Sequence, residues 1–175
     1  MTKLCLATSV ALMLYASPAS ADVEHSDADG FSLVINADSP SDVDTLWQRI
    51  VHPELWWNSS HTWSGDAANM SLDARAGGCW CEVVSSGGSV AHGTVVAFEP
   101  ARGRVMMRAE LGPLQAMAVN GWLEWRVEAR ADGGSHVRWR YTVRGQGIDA
   151  NGALAAGVNA VLIEQIGRLA AVPLN

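Results

Sequence analysis

Ala153-Leu-Ala-Ala-Gly-Val-Asn-Ala-Val-Leu-Ile-Glu-Gln-Ile-Gly-Arg-Leu-Ala170 decides the fold. Its apolar residues Leu154, Val158, Val161, Leu162, Ile166 and Leu169 recur three and four apart, the spacing of one helix face. Asp149 and Asn151 stand before it as candidate N-caps, and no proline follows until Pro173. Between about Arg75 and Gly145 the pattern changes to short alternating runs separated by turns. One long helix after one antiparallel run predicts an α+β fold in which a single curved sheet closes around the helix.

Working outward, the turns are Gly77-Gly78, Ser86-Gly87-Gly88, Pro100-Ala101-Arg102-Gly103, Gly112-Pro113 and Asp132-Gly133-Gly134. With a first strand at Phe31–Ala37 they divide the chain into seven strands, and their shortness demands antiparallel neighbours. Between the first and second strands Ser41 is a fair N-cap for a helix burying Val43, Leu46, Trp47 and Ile50. A shorter helical turn follows over Glu54–Trp57. The polar stretch 58–68 carries His61 and Trp63; loops of that length act as lids or are merely mobile. Trp63, with Trp56 and Trp57 before it, either rims a cavity or caps the core.

Residues 1–21 have the features of a secretory signal peptide: Lys3, an apolar core from Leu4 to Tyr15 too short for a bilayer, and Ala19-Ser20-Ala21 at the cleavage position. A secreted, periplasmic protein is expected after cleavage near Ala21, without stable membrane insertion. Residues 22–30, acidic and small, are expected to be a flexible tail, and 31–172 one domain. The peptide holds the only lysine, which leaves 11 arginines against 18 acidic residues, a balance of −7. An acidic chain whose arginines are scattered argues against nucleic acid as a partner.

Period-two patterning assigns the faces. Leu123, Trp125 and Val127 point in, as do Val137, Trp139, Tyr141 and Val143, against Glu124, Arg126, Arg138 and Arg140 outside. Placing the charged Glu82 and Glu99 outside turns Cys79, Cys81 and Val83 inward, with His92, Thr94, Val96 and Phe98, and then Val105, Met107, Ala109 and Leu111. An apolar wall with a few polar atoms suits a small-molecule site and equally a plain core; volume separates the two.

The ordered motifs sharpen the fold. Val51-His52-Pro53-Glu54-Leu55-Trp56-Trp57, Ala76-Gly77-Gly78-Cys79-Trp80-Cys81-Glu82, and Gly93-Thr94-Val95 with Glu99-Pro100 occur in sequence. Leu111-Gly112-Pro113-Leu114 and Gly121-Trp122-Leu123-Glu124-Trp125 complete the set. Together they resemble the START-like (SRPBCC) superfamily, nearest to its bacterial polyketide cyclase/dehydrase-like and heat-shock ATPase-activator-like members. The resemblance implies a helix-grip fold, with a seven-stranded sheet, two short helices after the first strand, and a deep cavity for a lipophilic ligand. It implies no reaction, because that superfamily mixes carriers, cyclases, hydrolases and binding modules.

The walls expected from this reading are Cys81, His92, Thr94, Met107, Leu123, Trp125, Trp139 and Tyr141. Val158 and Leu162 close the other side, and His61 and Trp63 stand at the mouth. Binding of a hydrophobic small molecule is expected, with His92 and Tyr141 orienting it and no cofactor. A cyclase or hydrolase using His92 as general base is the alternative, although no orienting carboxylate is expected on the inner face. A non-enzymatic interaction module is the third reading.

Cys79 and Cys81 share a strand face, their Cα atoms roughly 6.6–6.8 Å apart in a regular strand, the edge of disulfide reach. Free buried thiols are therefore expected unless the strand bulges. With His92 the pair offers three zinc or copper ligands but no fourth, so no metal site is assigned.

Overall fold

The computed structural model describes residues 19–171. Eight strands and two α-helices follow one another as β1 (Ser20–Asp27), β2 (Gly30–Ser39), α1 (Val43–Ile50), β3 (Met70–Leu72), β4 (Cys79–Val84), β5 (Gly88–Glu99), β6 (Arg104–Ala109), β7 (Asn120–Ala129), β8 (Ser135–Arg144) and α2 (Ala153–Ala171). A 3₁₀ turn over Pro53–Leu55 supplies the second short helix after the first predicted strand. The strands form one antiparallel sheet in the order β1-β2-β8-β7-β6-β5-β4-β3. The long helix and antiparallel sheet make the expected α+β, helix-grip architecture, with eight strands in place of seven.

The additional strand is β1. Residues 22–30, expected to be a flexible tail, instead supply most of a strand whose partners run from Ser20↔Asn36 to Asp27↔Gly30. Its residues are nearly all exposed, so it has no hydrophobic period to reveal it; pairing with the buried β2 makes it a strand. The expected cleavage position lies at its start, and the rest of the predicted leader lies outside the described residues.

Register aligns the inner-face side chains into rows across the sheet. Ile35, Trp139, Trp125 and Val105 form one; Leu33, Tyr141, Leu123 and Met107 form the next. All eight are fully buried. The helices cover these rows with part of the stripes the sequence predicts: Leu46, Trp47 and Ile50 from α1, and Leu162, Ile166 and Leu169 from α2, are buried, whereas Val43, Leu154, Val158 and Val161 are half-buried. By length and composition α2 could cross a bilayer, but here it packs on the sheet.

Both helix starts are capped by carboxylates. Asp42, not Ser41, caps α1, accepting from the Thr45 amide at 2.7 Å. At α2, Asn151 accepts from the Ala153 amide at 3.1 Å, while buried Asp149 accepts from the Leu154 and Ala155 amides at 2.9 and 3.0 Å. Two first-turn N–H groups thus depend on one carboxylate. Asp149→Ala should lower unfolding stability by about 1–2 kcal/mol. A urea titration should show a lower midpoint with an unchanged slope.

Candidate functional site

The inner faces of β4 and β5 depart from the predicted alternation. On β4, Trp80 and Glu82 are fully buried, and Val83 is 59% exposed. Cys79 and Cys81 are half-buried on the outer face. The assignment that put Cys79, Cys81 and Val83 inside and Glu82 outside is therefore inverted. On β5, pairing with β4 passes from Trp80↔Gly93 to Cys81↔Ala91, which leaves His92 as an extra residue. Pairing with β6 passes from Val95↔Met107 to Ala97↔Met106, which leaves Val96 extra. Each bulge shifts the phase by one. Inward positions become His92, Val95 and Phe98, while Thr94 and Val96 turn outward.

Cys79 and Cys81 are joined by a disulfide, with Cα atoms 5.4 Å apart. The expectation of free thiols fails because the register shift beside Trp80 and Cys81 departs from regular strand geometry. The Cys79, Cys81 and His92 metal set does not assemble either: the two sulfurs are bonded on one face of the sheet and the imidazole lies on the other.

Two buried side chains form the polar centre. His92 Nε2 lies 2.9 Å from Glu82 Oε2. The same carboxylate accepts from the Trp63 amide at 3.1 Å and from the Ser64 amide. Burial pushes the Glu82 carboxyl up, but hydrogen bonds from Ser64, Trp63 and His92 outweigh it and hold the group below its ordinary value. Burial likewise lowers the His92 imidazole, only partly opposed by Glu82. At neutral pH the pair is therefore carboxylate and neutral imidazole, with Nε2 donating to Glu82.

His92 lines a cavity of about 400 Å³. Its other walls come from the N-terminal half of α2 (Leu154, Gly157, Val158, Val161 and Leu162), the β6–β7 connection (Leu111–Leu114) and the segment Trp57–Trp63. Tyr141 builds one wall indirectly: its hydroxyl donates to Ala109 O at 2.9 Å and accepts from the Leu111 amide at 3.2 Å. That pins the start of the connection, which then turns through Gly112 at φ +55°, a conformation that favours glycine. The other side is anchored to α2, where the Asn58 amide donates to Gln165 Oε1 at 2.7 Å and His61 Nε2 lies 3.2 Å from Glu164 Oε2.

Five of the predicted contact residues therefore meet at the cavity: His61, Trp63, His92, Val158 and Leu162. Cys81 and Thr94 face away from it. Met107, Leu123, Trp125, Trp139 and Tyr141 are fully buried and do not line it. The space they were expected to border is occupied by aromatic rings. Trp125 stacks on Trp139 at 5.3 Å, Trp56 packs on both, and Trp80 meets Trp125, Trp57 and His92 at 5.0–5.5 Å. The deep central cavity implied by the resemblance is thus a tryptophan core, and the open volume lies beside it. Sequence reasoning turned Leu111 inward but did not place Gly112, Pro113 and Leu114 at the site, although an apolar turn of that kind is itself a signal of something to cover.

The fold and this side cavity define a helix-grip protein with a lateral apolar site. The chain belongs to the family described as polyketide cyclase/dehydrase and lipid transport, which matches residues 32–172. Among solved structures it is similar to CalU16 from Micromonospora echinospora, with 15% identity, TM-score 0.51, and coverage of 89% of this chain and 86% of that one. An uncharacterised protein from Bacillus thuringiensis gives 15% identity and TM-score 0.56 over 79% of this chain and 96% of the other. One from Rhizobium leguminosarum gives 20% and 0.53 over 87% and 98%. At these identities the likeness concerns the fold alone. No curated protein matches the chain.

The lowered pair has a signature in stability. A depressed carboxyl contributes above its ordinary value, 4.5, and that contribution is lost as pH falls through the folded value. A depressed imidazole acts in the same direction, starting from 6.5. Melting temperature should therefore decline from about pH 6.5 downward. His92→Gln, which keeps a donor for Glu82, should remove the first part of that decline in thermal melts and leave the more acidic part.

Proposed function

We propose that the chain binds a hydrophobic small molecule in this lateral cavity, outside the cytoplasm. The supporting observation is a volume of about 400 Å³ walled by leucine, valine, proline and tryptophan, with a single buried, oriented polar side chain at its edge. Burial of apolar surface supplies affinity, and His92 supplies orientation. Tyr141 has no part in orientation, since its hydroxyl is engaged with Ala109 and Leu111. The leader-like residues 1–21 and the Cys79–Cys81 disulfide support export, because disulfides persist in oxidising compartments.

Gly157 gives a clean test. A Cβ built there meets nothing within 4 Å, and the residue lines the cavity. Gly157→Leu should fold at least as stably as the parent, because glycine in a helix costs about 1 kcal/mol. Its side chain would occupy the site. Affinity for the neutral probe N-phenyl-1-naphthylamine, read by fluorescence, should fall at least about tenfold, since filling the site removes the apolar burial that drives binding. Unchanged affinity would move binding elsewhere.

The Glu82–His92 pair favours a second reading, a cyclase- or hydrolase-type enzyme. A base held by a buried carboxylate is the arrangement general-base catalysis uses, and Glu82 is the inner-face carboxylate not expected from sequence. That reading requires a pH-dependent turnover abolished by His92→Ala while probe binding survives.

A further inference from the structure

The polar groups around the cavity are unequally free. The Trp57 indole donates to His61 O at 3.0 Å, and the Thr62 hydroxyl donates to Ser59 O at 2.7 Å. His61 is engaged with Glu164. The donors among these side chains are therefore used within the protein. His92, like His61, is held at Nε2 by a carboxylate, here Glu82, and its Nδ1 has no protein partner among the described residues; it differs in burial, since His61 is exposed to solvent. His92 is only 4% exposed and lines the cavity. Because an ionised carboxylate can only accept, it places the imidazole proton on Nε2 and leaves Nδ1 as a lone pair.

Three kinds of ligand head meet that lone pair differently. A pure hydrocarbon would cover Nδ1 and leave a buried acceptor without a donor. An anionic head would offer only acceptors to an acceptor, with the Glu82 charge directly behind the ring. A neutral hydroxyl supplies the missing donor and adds no charge. We propose that the ligand is an uncharged hydrophobe bearing a hydroxyl, an alcohol or phenol, which donates to Nδ1 of His92; this rests on the cavity being the binding site.

The test varies the ligand and leaves the protein intact, so it does not depend on a variant folding without its buried partner. Binding of 1-naphthol, 1-methoxynaphthalene and 1-naphthoate to the whole protein would be measured by calorimetry near neutral pH. The naphthol should bind about tenfold more tightly than its methyl ether, the scale of one net hydrogen bond, and more tightly than the naphthoate. In ¹⁵N NMR the His92 Nδ1 resonance should shift with the naphthol and not with the ether. Equal affinities for naphthol and ether would overturn the hydroxyl proposal while leaving apolar binding in place. A preference for naphthoate would overturn it in favour of an anion site. Failure of all three to bind would overturn the cavity reading itself, and this proposal with it.

Discussion

A carboxylate buried to zero exposure must gather donors, and Glu82 gathers them from two separate parts of the chain. One is the imidazole of His92 on the neighbouring strand; the others are consecutive backbone amides of Trp63 and Ser64. Satisfying this one charge fixes several features together. The extra residue on β5 brings His92 to the inner face, and the segment after Trp57 is drawn onto the open end of the sheet. The cavity exists where those two consequences meet the start of α2.

What fills the middle of the molecule explains why the cavity lies to one side. Each tryptophan buries 150–250 Å², or about 4–6 kcal/mol of transfer free energy at 25 cal/mol per Å². Leaving an indole N–H without an acceptor costs about 1–3 kcal/mol. Trp80, Trp125 and Trp139 have no acceptor for that group among the described residues, yet the area term still exceeds the loss. Filling the concave face with rings is therefore stable despite imperfect hydrogen bonding, and it leaves the N-terminal half of α2 less tightly covered. Leu154 and Val158 there are half-buried, whereas Leu162, Ile166 and Leu169 further along are buried.

The legible parts of the fold are those in which one rule acts alone. β8 alternates without interruption and β7 does so from Asn120 to Glu128, so Leu123, Trp125, Trp139 and Tyr141 could be placed inside from period two. β4 and β5 were misread because two rules conflict there. Charge put Glu82 outside and carried Trp80 with it, although a tryptophan on that face argued the reverse. Bulges at His92 and Val96 leave no mark on composition, since an inserted residue shows only in the partner's register. β1 was hidden for the opposite reason, having no buried side to create a period.

Of the candidate site, His61, Trp63, His92, Val158 and Leu162 were legible as residues, while the relation between them was not. That relation bears on function more than the inventory does. Trp63 and His92 are held by the same Glu82 side chain, one through its backbone and one through its ring. A ligand that changes the charge or position of His92 therefore acts on the carboxylate anchoring the segment beside the cavity, and movement of that segment acts back on the imidazole. Any coupling between them must be reciprocal, because both draw on one set of lone pairs. A molecule bound at the proposed site would thus be linked to the cavity's edge by a single buried charge, whether it were carried or transformed.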